Sequence, residues 1–262
     1  MYHEFSIAET IKASWRVLKK NFVPLVVYSF ISLFINEFLE FFKDFIFISD
    51  DRISDIIIWL IQMAVQAFLT LSFYKLILTL IDREYYEFSF KDILPSFKMV
   101  FNFVIIALAY VLLIALFVLV DLLFERAFSD YGVLLTLFKI IEICALIYLL
   151  LRSVFCICFI VDDDSSPIES LKQSFGITQD NFFKTLAMLG IIIAFMIVAL
   201  VPIFVIFILC GVNQESSPFA QKLMFYCWFL LSFPVVQVII IETYRKLVYS
   251  HQDLDDDVSE TI

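Results

Sequence analysis

Apolar and polar positions run along this chain in two rhythms. Six nearly unbroken apolar stretches, at about 22–42, 56–81, 100–124, 133–161, 184–210 and 219–243, are each long enough to cross a membrane. They are continuous, without the period of two that marks a barrel strand. In lipid, a segment of that kind can pair its own backbone groups only as a helix. The second rhythm is helical and amphipathic. From Ser6 to Phe22, Ile7, Ile11, Trp15, Leu18 and Phe22 recur on one face, while Glu9, Lys12, Arg16, Lys19 and Lys20 take the other. Such a helix is expected to lie in a membrane interface, apolar side down. The expected fold class is all-α: a polytopic membrane protein with six transmembrane helices.

The amphipathic stretch returns at Ser166 to Phe182, sharing Ser6/Ser166, Glu9/Glu169, Lys12/Lys172, Ser14/Ser174, Asn21/Asn181 and Phe22/Phe182. Each copy opens with a Ser followed three residues later by Glu, the signature of a reciprocal N-terminal cap, and Pro167 occupies the first helical position. A weaker third copy has Ser89 and Asp92 at its start, then Ser96-Phe97 and Asn102-Phe103. Pro95 should break or kink that helix. Three of the five asparagines are followed by Phe, at intervals of 81 and 79 residues. The expectation is a single membrane domain over 1–250, built from three repeats at about 1–82, 83–162 and 163–250. Each repeat would be an interfacial helix plus a transmembrane hairpin. The acidic segment 251–262 reads as a disordered tail.

Composition agrees with the pattern: 62% of residues are hydrophobic, above the roughly 45–50% of soluble domains. The net charge of -10 arises from acidic loops and the tail, and no basic groove exists for nucleic acid. The first apolar run lacks a small-residue cleavage site, so it is expected to be retained. Basic residues set the expected topology. Lys12, Arg16, Lys19, Lys20, Arg83, Lys91, Lys98, Lys172, Lys184, Arg245 and Lys246 fall on one side, against Lys43, Arg52, Arg126 and Lys222 on the other. Both termini are therefore expected in the cytoplasm.

Candidate chemistry is sparse. The two histidines, His3 and His251, lie outside the apolar runs, and four glycines cannot build a phosphate-cradling loop. The five cysteines lack metal-ligand spacing and read as small packing residues. No catalytic residue, metal or cofactor is expected. Polar groups do interrupt the apolar runs. Lys139 and Glu142, three apart on one helix, can form an ion pair or belong to a relay. Gln62 and Gln66 can hydrogen-bond between helices, with Gln237 as a partner. Asp162, Asp163 and Asp164 read as a solvated helix stop or, alternatively, a cation site. Lys75, Arg152 and Arg245, one per repeat, either snorkel to the headgroups or ring an anionic-lipid or phosphate site.

The E-x-x-K-x-S-[WF]…N-F segments, Glu9 to Phe22 and Glu169 to Phe182, resemble a superfamily of bacterial multi-pass inner-membrane proteins. That superfamily includes the membrane domain preceding the soluble catalytic domain of some glycerophosphodiester phosphodiesterases. The resemblance implies a six-helix inner-membrane domain. It implies no catalytic residue here, because the phosphodiesterase activity of those fusions resides in their soluble domain, which residues 1–262 are not expected to include. The leading expectation is a non-enzymatic protein of a bacterial cytoplasmic membrane that contacts lipids or binds a protein partner or a second copy of itself. Its contact residues would be Lys12, Arg16, Lys19, Lys20, Lys75, Arg152, Lys172 and Arg245. A transporter or channel lined by Gln62, Gln66, Lys139 and Glu142 is the alternative, and a membrane enzyme acting on lipid the third.

Overall fold

A computed structural model describes residues 6–46, 52–82, 90–129, 131–209 and 218–249. All the described elements are helices: α1 (Ile7–Lys20), α2 (Phe22–Ile46), α3 (Arg52–Asp82), α4 (Phe90–Ile93), α5 (Phe97–Ala127), α6 (Gly132–Arg152), α7 (Cys156–Asp162), α8 (Pro167–Asp180), α9 (Phe182–Leu209) and α10 (Pro218–Val248). Six helical spans are long and apolar enough to cross a membrane, and they coincide with the six apolar stretches of the sequence. The protein is thus an all-α polytopic membrane protein. The acidic segment 251–262 lies outside the described residues. Two compact units emerge, one from Met1–Pro95 with Phe183–Ile262, the other from Ser96–Phe182.

In the first unit, α1 packs on α10 and α2, and α2, α3 and α10 pack on one another. Rings set their level. Tyr28 of α2 stacks on Phe73 of α3, which stacks on Phe233 of α10, each pair with centroids 5.0 Å apart. The Tyr28 hydroxyl donates to Leu69 O at 2.8 Å, tying α2 to α3. On α10, the Trp228 indole donates to Met196 O of α9 at 2.9 Å. Lys222 of α10 reaches Glu37 of α2 at 2.7 Å and Glu40 at 3.4 Å.

The second unit is α5 and α6, an antiparallel pair, with α7 and α8. Phe124 and Phe138 stack across the pair. The expected uninterrupted helix over 133–161 is in fact broken: α6 ends at Arg152 and α7 begins at Cys156. The break is stabilised from outside. The Ser174 hydroxyl of α8 donates to Arg152 O at 2.7 Å and accepts from Phe155 N–H at 3.2 Å, satisfying two groups the interruption frees. Thr178 also donates to Arg152 O, at 3.4 Å.

The middle amphipathic stretch differs from expectation in a second way. Ser89 lies outside the described residues, and α4 is a single turn that stops before Pro95. Ser96 then caps α5, accepting from Met99 N–H at 3.2 Å. Asn102-Phe103 therefore falls inside α5, whereas Asn21 and Asn181 mark breaks between helices. All three asparagines are buried all the same, and Asn102 donates to Ser165 O at 3.1 Å. The expected reciprocal caps are also only half present. Ser166 accepts from Glu169 N–H at 3.4 Å, while Ser6 makes no side-chain cap, its carbonyl accepting instead from Thr10 Oγ1 at 3.0 Å.

Candidate functional site

Helix α1 carries half of the candidate contact residues. Lys12, Arg16, Lys19 and Lys20 are exposed on it, as expected of a charged face. The face that α1 buries is not its large apolar one. Trp15 is 54% exposed, whereas Thr10, Ser14 and Leu18 are buried. In α8 the corresponding Ser170, Ser174 and Thr178 are all 0% exposed. Residues four apart fall on one stripe of a helix, and small side chains there let two backbones approach closely. Trp15, the largest apolar side chain of α1, stays outside this stripe. This division went unread in the sequence, although the i, i+4, i+8 spacing of small polar residues was its signal.

Next to α1 lies an apolar groove of about 440 Å³. Its rim is Trp15, Leu18 and Lys19 of α1 with Phe22 and Leu25 of α2. Its walls are Phe195, Val198, Ala199 and Pro202 of α9 and Leu231, Pro234 and Val235 of α10. Pro202 and Pro234, interior to α9 and α10, line it, and each removes an amide donor from its helix. Lys19 Nζ sits 5.5 Å from the Trp15 ring centroid, a cation–π contact that holds an ammonium at the mouth. The groove has the size of a small-ligand pocket but almost no polar lining; Lys19 is its only charged residue. Of its α9 and α10 residues only Pro202 and Pro234 stand out in the sequence, as interruptions of their apolar runs.

The other predicted residues fall elsewhere. Lys75 is spent within the protein, donating to Leu94 O at 2.9 Å. Arg245 pairs with Asp82 and lies over the Tyr249 ring. Arg152 lies over the rings of Phe175 (5.2 Å) and Tyr148 (5.8 Å), with its Nε buried and unpartnered. These three cations are thus each engaged by their own surroundings. Lys172 is exposed on α8.

The expected Lys139–Glu142 pair is replaced by a different one. Lys139 lies 3.9 Å from Asp121 and 3.8 Å from Glu125, both on α5, because it points across the α5–α6 pair. Glu142 keeps one buried oxygen without a partner. Gln237 likewise has a buried, unpartnered Oε1, so the suggested bond to Gln62 or Gln66 is not made through that atom. Of the three aspartates at the end of α7, Asp162 to Asp164, Asp164 pairs with Lys98 at 2.8 Å. Burial, and then the neighbouring Asp162 and Glu169 carboxylates, push the Asp163 carboxyl above its usual range. Among the described residues no three His, Cys, Asp or Glu come together in a way that holds a metal ion. No family model, curated protein or solved structure matches the chain.

Proposed function

We propose that this protein is a non-enzymatic lipid-binding module of a bacterial inner membrane, which takes an acyl chain of an anionic phospholipid into the groove beside α1. The observation that carries the reading is the groove itself: apolar walls across α9 and α10, with Lys19 and Trp15 at the mouth. A hydrocarbon tail fits such walls, and a phosphate suits the ammonium at the rim. Lys12, Arg16 and Lys20 extend the positive surface, each worth about 1 kcal/mol towards an anionic headgroup. Tryptophan at the mouth fits a headgroup boundary, where its ring is half solvated.

Within this reading the chain is organised as three units of interfacial helix and hairpin, with both termini in the cytoplasm. The matching lengths of α1 and α8, their matching buried stripes and the three buried asparagines support that organisation. The likeness to the membrane domain of the phosphodiesterase fusions belongs to the same proposal.

Native mass spectrometry of the protein released into mild detergent tests it. The expected spectrum carries one retained phospholipid enriched in anionic headgroups over the surrounding membrane. Val198→Trp, which fills the groove, is expected to remove that adduct. Replacing Lys12, Arg16, Lys19 and Lys20 with Gln is expected to keep a lipid but abolish the headgroup preference. An adduct indifferent to Val198→Trp would refute the groove as its seat.

A further inference from the structure

Serine and threonine in an apolar helix normally return their proton to the carbonyl one turn back, which hides the hydroxyl from lipid. In the first unit Ser29 does so to Leu25 O at 2.9 Å, Thr79 to Lys75 O at 2.7 Å and Thr243 to Ile239 O at 2.7 Å. Three other serines do not. Ser32 of α2, Ser72 of α3 and Ser232 of α10 are 6%, 3% and 2% exposed, and their hydroxyls complete no hydrogen bond among the described residues. Each comes from a different one of three mutually packed helices.

The ring stack shows that these serines share a level. Ser72 and Ser232 immediately precede Phe73 and Phe233, which stack on each other, and Ser32 lies one turn from Tyr28, which stacks on Phe73. The Tyr28 hydroxyl, which donates to Leu69 O, is a polar neighbour of both Ser72 and Ser32, but neither serine hydroxyl completes a hydrogen bond with it. One turn from Phe233 on the same face of α10, Gln237 leaves its Oε1 buried and unpaired. Four buried polar atoms without a partner among the described residues thus lie within about a turn of one aromatic layer, inside spans where lipid offers nothing to bond.

We propose that the interior of α2, α3 and α10 is a hydrated site, in which bound water bridges Ser32, Ser72, Ser232 and Gln237. The lining chooses the ligand. None of these groups carries a charge, so an ion of either sign would meet no counter-charge. A hydroxyl that both donates and accepts matches water, which needs two to four such partners to be retained in an interior. The site is separate from the lipid groove, whose α10 residues are Leu231, Pro234 and Val235, and it does not depend on the lipid reading.

Radiolytic hydroxyl-radical footprinting of the protein in lipid nanodiscs tests this directly, since trapped water generates radicals in place and marks the rings beside it. Phe73 and Phe155 are buried alike, at 0% and 1% exposure. The expected result is oxidation of Phe73 severalfold faster than of Phe155. Ser32→Ala/Ser72→Ala/Ser232→Ala should bring Phe73 down to the Phe155 rate, and the single variant Ser72→Ala serves if the triple variant does not fold. Equal rates for the two rings in the unmodified protein would overturn the proposal. So would fast Phe73 oxidation that survives the substitutions, because the water would then be held by other groups.

Discussion

Helices α1 and α8 have the same length and bury the same kind of stripe, yet they spend it differently. In α1, Thr10 and Ser14 bond back to their own helix, at Ser6 O (3.0 Å) and Thr10 O (2.8 Å), and α10 runs past them unbroken. In α8, Ser174 turns to the neighbouring helix and bonds both sides of the α6–α7 break. The first stripe acts through its small size. The second acts through its hydrogen bonds, replacing the intrahelical bonds that α6 and α7 cannot make with each other. Sequence identity at Ser14 and Ser174 therefore conceals a difference in energetic role.

The widest separation between the two should come from alanine. Ser174→Ala leaves Arg152 O and Phe155 N–H with one weak alternative between them, and is expected to cost about 2–3 kcal/mol in detergent unfolding measurements. Ser14→Ala removes only a bond to its own helix, so its cost should stay below about 0.5 kcal/mol. Equal losses would dissolve the distinction. Bulk tests the converse. Ser14→Leu is expected to cost about 1–2 kcal/mol by wedging α1 off α10, and to speed protease cleavage near the α1–α2 junction.

Smaller effects come from the ion pair that helps hold the loop after α7. Lys98→Met removes the contact with Asp164, but both side chains are largely solvated, so the expected loss is about 0.5 kcal/mol. The faintest effect is a pH slope. Because the folded state raises the Asp163 pKa, its proton is bound more tightly in the folded than in the unfolded chain. The associated stability is present below the ordinary carboxylate range and is lost as pH rises through the raised value. Comparing unfolding midpoints of the unmodified protein and Asp163→Asn across that window should show a shallower acid-side decline with pH in the variant.

The spans were legible in the sequence because apolar runs of that length leave the backbone one solution in lipid. The short amphipathic helices α1 and α8 were legible too, in α1 through the spacing of Ile7, Ile11 and Trp15. What escaped was the direction each polar side chain takes. Lys139 and Glu142 look paired by spacing, but a lysine has the reach to cross to Asp121 and Glu125 on the next helix. The break at Ser153–Phe155 has no proline or glycine to announce it; it depends on Ser174, nineteen residues beyond Phe155. The groove was invisible for a related reason, since Trp15, Val198 and Pro234 converge only in three dimensions.

The seat of α1 on α10 has a consequence for biogenesis. Residues 7–20 leave the ribosome first among the described helices, whereas residues 218–248 leave last. The Thr10–Ser14 stripe must therefore wait until residues 218–248 have been made before its partner exists. Meanwhile α8 meets α6 and α7, made just before it, at once. Seating of α1 is then gated at α10: a ribosome stalled before that helix leaves the stripe of α1 without its α10 partner, a ready mark for a membrane protease.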